Sequence, residues 1–440
     1  MILPENVLNF LGVFKKNGFS AYVVGGAVRD HYLGTVCCDF DIASSARPDQ
    51  VKSLFADYKI VETGIKHGTV TVFYNSQPFE VTTFRKDGDY NDFRHPDSVD
   101  FTDDIEGDLS RRDFTMNAIA FSPEVGVVDR FNGIKDIENK IIRAVGDANE
   151  RFKEDALRIL RAVRFAAKTG FSIEENTYKA MLLNKSLLKS VSVERVFDEL
   201  TKTLLCKNCR KALMEYKEII FEVIPELIPC DGFDQKNKAH AYDVYKHTLY
   251  VLENLERRTP TTCWAALLHD IGKPHTLTID EDGVGHFPKH MEVSTEIAKN
   301  VLKRLKASNE LIRNVTTVIS VHDKQFYNKY AIKKFINKHG AQIFEDFLTL
   351  TFADVYAHSD IAIKKYLPER KDIANFYDEI LAGGECYKLS QLCVSGDDLL
   401  ELGYSGETIG NILNELLDLV IKEELLNDKK TLLDYVKEKR

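Results

Sequence analysis

The sequence predicts an α+β protein in which a mixed head is followed by an elongated all-α body, and three observations carry that reading. Residues 1–140 contain three β-rich runs, "SAYVVGG", "HGTVTVFY" and "QPFEVTTFR", among helical signals. From Arg143 onward the apolar spacing is helical almost to the end. Two stretches rich in Pro, Gly and polar residues break the helical part, "PELIPCDGFDQKNKAH" from Pro225 and "LAGGECYKLS" from Leu381. The expected divisions are a head over 1–140, a basic helical neck over 141–225, a His-rich helical block over 226–380 and a helical tail over 381–440.

Within the head, "SAYVVGG" reads as a strand closing on two glycines, and "NSQP" as the turn joining the two later strands. The charged segment "FRKDGDYNDFRHPDSVDF" (Phe84 to Phe101), with its Gly and Pro, reads as a mobile loop. In the neck, Leu157, Leu160, Val163 and Ala167 supply a buried helical stripe.

A chain of 440 residues, 44% hydrophobic and 29% charged, has interior enough for two to four domains. No apolar run approaches a membrane span, and the start "MILPENVLNFLG" lacks a basic leader, so the expected location is cytoplasmic, with no membrane partner. Eight irregularly spaced cysteines point to reduced thiols; "CKNC" at Cys206 to Cys209 lacks the second pair a structural zinc would need and reads as packing. The net charge of −9 argues against nucleic acid, but Lys140 to Lys211 carries 16 Lys or Arg against 9 Asp or Glu. That basic middle suits a polyphosphate or an RNA backbone, or else a solvated helical surface.

The chemistry of the head begins with "YVVGGAVRDHYLGTVCCDFDIA". Asp39 and Asp41 flank Phe40, so on an extended strand both carboxylates leave one edge while Phe40 turns to the other face. Two such carboxylates repel unless a divalent cation shares them, and Mg²⁺ is the usual partner where phosphates complete its shell. That chemistry is two-metal phosphoryl transfer, with Asp39 and Asp41 as the catalytic, metal-holding pair. Gly25 and Gly26 end a strand and open a helix, letting backbone N–H groups approach a triphosphate, and Arg29 adds a fork of donors. Cys37 and Cys38, beside hard oxygen ligands, read as packing in the strand. In "DLSRRDFTMNAIAF", Arg111, Arg112, Asp113 and Asn117 could hold a ribose hydroxyl and phosphates, unless the segment is simply a helix start.

In "EDALRILRAVRFA", Asp155, Arg158, Arg161 and Arg164 follow at i+3 steps on one expected helix that begins at Glu154. A carboxylate and a guanidinium one turn apart match the Watson–Crick edge of a base; the alternative is an ordinary i,i+3 ion pair. Glu80 in "FEVTTF" is a third candidate carboxylate for the metal, or one half of a cross-strand charge pair.

Three of these segments, "VVGGAVRD…DFDI", "RRDFTMNA" and "EDALRILRAVRFA", resemble in order the signature motifs of class II tRNA nucleotidyltransferases, the CCA-adding enzymes of the DNA polymerase β-like superfamily. "DLLELGYSGETIGNILNELLDLV" looks like the family's C-terminal helical segment. The resemblance implies a template-independent enzyme that builds the 3′-terminal CCA of tRNA from CTP and ATP with Mg²⁺. It places Gly26 and Arg29 at the triphosphate, Arg112 at the sugar or phosphates, and Asp155 and Arg158 at the base with Arg161 and Arg164 nearby. The Phe84 to Phe101 segment resembles one that family members adding only two cytidines lack, which leaves full CCA addition or A addition.

The His-rich block contributes His247, His269, Asp270, His290, His322 and Asp354. Imidazoles with carboxylates suit Mn²⁺, Ni²⁺, Fe²⁺ or Mg²⁺, and adjacent His269 and Asp270 on one helix need other helices to complete a site. The order H…HD…D resembles the HD superfamily of metal-dependent phosphohydrolases, which implies His247, His269, Asp270 and Asp354 as ligands. His290 and His322 could extend the site, bind phosphate or be structural. Three alternatives to CCA addition therefore stand: an A-adding enzyme or poly(A) polymerase, an HD phosphohydrolase with a nucleotide-sensing head, and a non-catalytic RNA-binding scaffold.

Overall fold

The computed structural model describes residues 1–439 apart from Cys38, Thr63, Lys66, His67 and 88–98. It forms two compact units, Met1–Pro225 and Glu226–Arg440.

The first unit contains strands β1 (Ala21–Val24), β2 (Asp41–Ser44), β3 (Lys59–Val61), β4 (Thr69–Tyr74), β5 (Gln77–Thr83), β6 (Arg85–Asp87), β7 (Val99–Phe101), β8 (Ala120–Ser122) and β9 (Gly126–Val128). Among the described residues, seven of them pair into one sheet in the order β3-β4-β5-β2-β1-β8-β9. The neighbours are antiparallel except for β2 and β5, which are parallel. Asn75 and Ser76 both have positive φ, the conformation of a tight two-residue hairpin, and they join β4 to β5 with Tyr74 opposite Gln77. Phe10, from helix Glu5–Lys16, stacks on Phe79 at 4.2 Å and on Phe55 at 4.7 Å between ring centroids. Burying a ring of that size contributes about 2–3 kcal/mol. Tyr22, Val24, Ala43, Phe84, Leu109 and Ala118 form a second cluster in this unit.

Three local expectations need correction. Asp39 is not on the strand: β2 begins at Asp41, because the β1 register ends at Val24 opposite Asp41 and β1 then gives way to Gly25. Cys37 likewise precedes the strand, its thiol on the Asp39 carbonyl at 2.9 Å, and Cys38 lies outside the described residues. The ends of the expected loop, Phe84 to Phe101, instead pair as the antiparallel ribbon β6–β7, with Arg85 opposite Phe101; residues 88–98 lie outside the described residues.

In the neck, "EDALRILRAVRFA" is two helices, Ala148–Glu154 and Leu157–Thr169, and not one. Asp155 separates them: its backbone is extended and, one residue ahead of Ala156 at the second helix's N-cap, its carboxylate accepts the Leu157 N–H at 3.1 Å. Leu157, Leu160, Val163 and Ala167 are all buried. Ile141–Ile142 pairs with Ser172–Ile173 as a short parallel ladder inside the helical region.

The second unit is mostly helical. Helix Pro260–Leu268 is buried from Thr261 to Leu268, on every side, as expected of a central helix. Helix Asp360–Ala382 stops at Gly383 and Gly384, and a tail core of Leu399, Leu416, Val420, Leu432 and Val436 follows. Among the described residues the Cys206 thiol donates to the Lys202 carbonyl at 3.2 Å and Cys209 is buried, and no helix is long and apolar enough to cross a membrane.

Candidate active site and metal centre

The end of β1 and the start of β2 lie side by side, with Val24 opposite Asp41, so the Gly25–Gly26 turn and the Asp41 carboxylate share one edge of the sheet. Gly25 has φ +65°, a backbone that is strained for any residue with a Cβ, and a Cβ there would sit 3.1 Å from Arg112 Nη1. A cleft of about 460 Å³ opens here and brings together Gly25, Gly26, Arg29, Asp41, Arg111, Arg112, Asp113 and Asn117 with Asp155, Arg158, Arg161 and Arg164.

A hydrogen-bonded chain ties the turn to the neck. Arg29 Nη1 donates to Asn117 Oδ1 at 2.7 Å, and Asn117 Nδ2 donates to Asp113 Oδ1 at 3.0 Å. Arg161 donates through Nε and Nη2 to Asp113 Oδ2 at 2.9 and 2.7 Å. Burial alone would push the Asp113 carboxyl up, but Arg161 and Asn117 hold it at about 2. Arg111 and Arg112 both donate to the buried Asp108 carboxylate, and Arg112 Nε is buried without a partner among the described residues. Asn117 and Asp113 therefore serve as supports for the arginines more than as free ligand groups.

The alternative reading, an ordinary i,i+3 ion pair between Asp155 and Arg158, is not what the structure shows. Arg158 donates to Glu154 Oε2 at 2.6 Å, to the Arg151 carbonyl and to the Arg111 carbonyl, while Asp155 takes Arg195 Nη2 at 2.8 Å. Arg164 pairs with buried Glu199 at 2.5 Å, and the guanidinium groups of Arg29, Arg161 and Arg164 lie over the Phe165 ring at 5.2, 5.5 and 4.5 Å.

Asp39 and Asp41 are exposed with Phe40 buried between them. Desolvation in the cleft, with Asp39 and Glu80 adding like charge, pushes the Asp41 carboxyl up to about 6 against the pull of Arg112 and Arg29. Glu80 faces Thr71 across β4, so no charged residue stands opposite it in the register and its charge bears on Asp41. Three carboxylates pressing on one another is the condition a divalent cation relieves.

The second unit holds the histidine cluster around a cavity of about 340 Å³. Helix Pro260–Leu268 ends just before His269, so His269 and Asp270 leave a helix end, which lets adjacent side chains aim at one point. Asp270 Oδ2 lies 3.5 Å from His247 Nε2 and 3.3 Å from His269 Nε2. Its Oδ1 lies 3.7 Å from His290 Nε2 and 3.6 Å from His322 Nε2. Asp354 Oδ1 is 2.9 Å from His247 Nε2. The Nδ1 atoms of His269, His290 and His322 each face a backbone carbonyl at 2.8–2.9 Å, which places a proton on Nδ1 and turns Nε2 inward. Burial would raise Asp270, but Lys273 and His269 drive it well below the carboxylate range; burial would lower His269, but Asp270 and Asp354 hold it up to about 10.

Models of known families match this chain in three places: the poly A polymerase head domain over 21–143, the RNA and SrmB-binding site of polymerase A over 170–229, and tRNA nucleotidyltransferase domain 2 over 275–436. The CCA-adding enzyme of Ligilactobacillus salivarius is 33% identical over 438 residues, which is 98% of this chain and 96% of that protein. The chain belongs to the CCA-adding enzyme family. The CCA-adding enzyme of Pediococcus pentosaceus is 34% identical across 95% of this chain and 94% of its own length. Among solved structures, the Bacillus stearothermophilus CCA-adding enzyme in complex with CTP superposes with a TM-score of 0.68 at 28% identity, covering 100% of this chain and 98% of that one. Nucleotidyltransferases of this family use divalent metals, and the second unit has buried groups of ligand type.

In this CCA-adding family member the structure adds residues that sequence reasoning missed. Phe165 and Lys168 line the head cleft beside Arg164, and helical spacing from Arg164 could have found Lys168. His358 joins Asp354 and His247 one turn further along, again an i+4 signal. Arg195 and Glu199 carry no local signal, since each meets its partner across helices.

Proposed function

We propose that this chain adds or repairs the 3′-terminal CCA of tRNA, taking CTP and then ATP at the head cleft. The observation that carries the proposal is the convergence, in one cleft, of the glycine turn, the Asp41 edge and the arginine face of the neck helix. The terminal tRNA hydroxyl oxygen bonds to the α-phosphorus of the nucleotide while the bond to pyrophosphate breaks. Asp39 and Asp41, with Glu80 beside them, are the residues that would hold Mg²⁺; bound there, it lowers the pKa of the attacking hydroxyl and neutralises phosphate charge. Arg29 and Arg112 bind the triphosphate, Gly25 and Gly26 admit it closely, and Asp155 with Arg158, Arg161 and Arg164 face the base. The basic neck suits the tRNA backbone.

The relatives' shared name favours full CCA addition over A-only addition or poly(A) synthesis. The test supplies CTP and ATP separately to tRNAs ending at each successive terminal position. Extension by C, C and then A is expected; long A tails with indifference to CTP would sink the proposal.

A second activity is supported by the histidine cluster. We assign residues 226–380 to an HD-type phosphohydrolase block between the neck and the 381–440 tail. His269 Nε2 and Asp270 Oδ1 are buried without a well-formed hydrogen bond among the described residues, although ionic partners lie at 3.3 Å and 3.6–3.7 Å, which suits a site built for a cation. His247, His269, Asp270 and Asp354 would hold one ion; His290 and His322, on the other oxygen of Asp270, extend the set. Mn²⁺, Ni²⁺, Fe²⁺ or Mg²⁺ fits these donors and, bound, would activate water. Elemental analysis with hydrolysis of 2′,3′-cyclic and terminal phosphates tests it; a purified chain that holds no ion and hydrolyses neither contradicts it.

A further inference from the structure

We propose that Arg370 is the substrate-binding residue of the histidine-cluster cavity, where it holds the phosphoryl oxygens of a phosphate ester while aromatic rings seat the ester's nucleoside. The proposal deepens the phosphohydrolase reading of that cavity and rests on it.

Arg370 comes from helix Asp360–Ala382 and is only 5% exposed. No carboxylate pairs with it among the described residues. Its Nη1 donates to the Lys324 carbonyl at 3.2 Å, its Nε is buried without a hydrogen-bond partner, and the neighbouring Glu369 is taken by Gln325 Nε2 at 2.9 Å. A buried guanidinium without a counter-ion costs stability, and an anion arriving from outside removes that cost.

The residue faces the right place. Arg370 lines the cavity of about 340 Å³ with Asp270 and His322, and the carbonyl that anchors it follows His322 by two residues. Lys273, the other permanently charged cation on this cavity, is committed to Asp270 at 2.7 Å and to Gln235 at 3.1 Å. Arg370 is the cation left for a ligand.

A cavity of this size falls in the range of sites for small organic ligands, so it has room for more than a phosphate. Phe287, Tyr366 and His240 line it, and His240 Nδ1 is buried without a hydrogen-bond partner among the described residues. Ring surfaces suit a sugar or base, and the imidazole nitrogen suits a ribose hydroxyl. In the hydrolysis, the oxygen of water bonds to phosphorus, the bond from phosphorus to the ribose oxygen breaks, and that oxygen leaves with a proton given up by the water.

The experiment uses the full chain with Arg370→Met, which keeps an apolar stem, and Arg370→Lys, which keeps the charge. Hydrolysis with Mn²⁺ is measured on adenosine 3′-monophosphate and on a short oligoribonucleotide ending in a 3′-phosphate, so that the lower KM tells a free nucleotide from an RNA end. Bound metal and melting temperature are followed with and without inorganic phosphate, with CTP present to fill the head cleft. In the Met variant KM is expected to rise about tenfold at unchanged metal content, and the rise in melting temperature that phosphate gives the parent is expected to vanish. The Lys variant is expected to recover part of both. Without phosphate the Met variant is expected to melt no lower than the parent, because an unpaired buried charge has gone. A Met variant with parent-like KM and phosphate response, or one that fails to fold or melts well below the parent, overturns the proposal alone. A parent chain that hydrolyses neither ester overturns the phosphohydrolase reading, and the proposal with it.

Discussion

Arg161 reaches across from the neck helix to place two donors on a single oxygen of Asp113, at 2.9 and 2.7 Å, in a buried position. This contact joins the "RRDFTMNA" segment of the head to the arginine face of the neck. Asp113→Asn leaves the Arg161 charge with only the more distant Glu199, at 4.0 Å, and is expected to destabilise the chain by roughly 2–4 kcal/mol, read from urea unfolding. The folded pKa of Asp113 lies below its unfolded value, so the parent's advantage is complete above about pH 4 and shrinks as the pH falls toward about 2. A parent and variant that differ equally at pH 3 and pH 7 would contradict this.

The Asp41 carboxyl, raised to about 6, makes cation binding compete with a proton. Half-maximal incorporation is expected to need progressively more Mg²⁺ as the pH drops below 6, and the same amount at all pH values well above it. Without cation the sign for stability is the reverse of the Asp113 case: a raised pKa favours the folded state in acid, so stability is lost as the pH climbs from about 4 through 6. Melting curves with and without Mg²⁺ check both statements, and a Mg²⁺ requirement flat between pH 5 and 8 counts against Asp41 as a ligand.

Two sites with no residue in common should fail separately. Asp39→Ala with Asp41→Ala is expected to abolish nucleotide incorporation and leave bound metal in the second unit unchanged. His269→Ala with Asp270→Ala is expected to empty that metal site and spare incorporation. Incorporation surviving in the head variant would show that the catalytic carboxylates lie elsewhere.

Gly25→Ala puts a Cβ at φ +65°, a strained conformation costing about 1–3 kcal/mol, and presses it toward Arg112 Nη1 at 3.1 Å. The expected result is a raised KM for both CTP and ATP with a modest fall in melting temperature. An unchanged KM would separate Gly25 from the triphosphate.

Much of the head was legible because its signals are local. Strand alternation and the Asn75–Ser76 turn depend on neighbours a few residues away. Glu80 stood in the sequence as a candidate carboxylate, and that Thr71 rather than a charged residue lies opposite it on β4 required the register. The Asp155 helix break was less legible, because one side chain accepting one N–H outweighed an uninterrupted helical period.

The amino-acid order by itself determined which stretches are strand-rich, which are helical and where the candidate acidic, basic and imidazole side chains fall along the chain, since backbone sterics and apolar periodicity act over one or two turns. Only the tertiary structure decided which guanidinium serves which carboxylate. Arg195 meets Asp155 across 40 residues, Arg161 meets Asp113 across 48 and His247 meets Asp354 across 107. Charge-assisted contacts of that kind are fixed by the docking of distant elements, and a list of ionisable residues does not contain their partners.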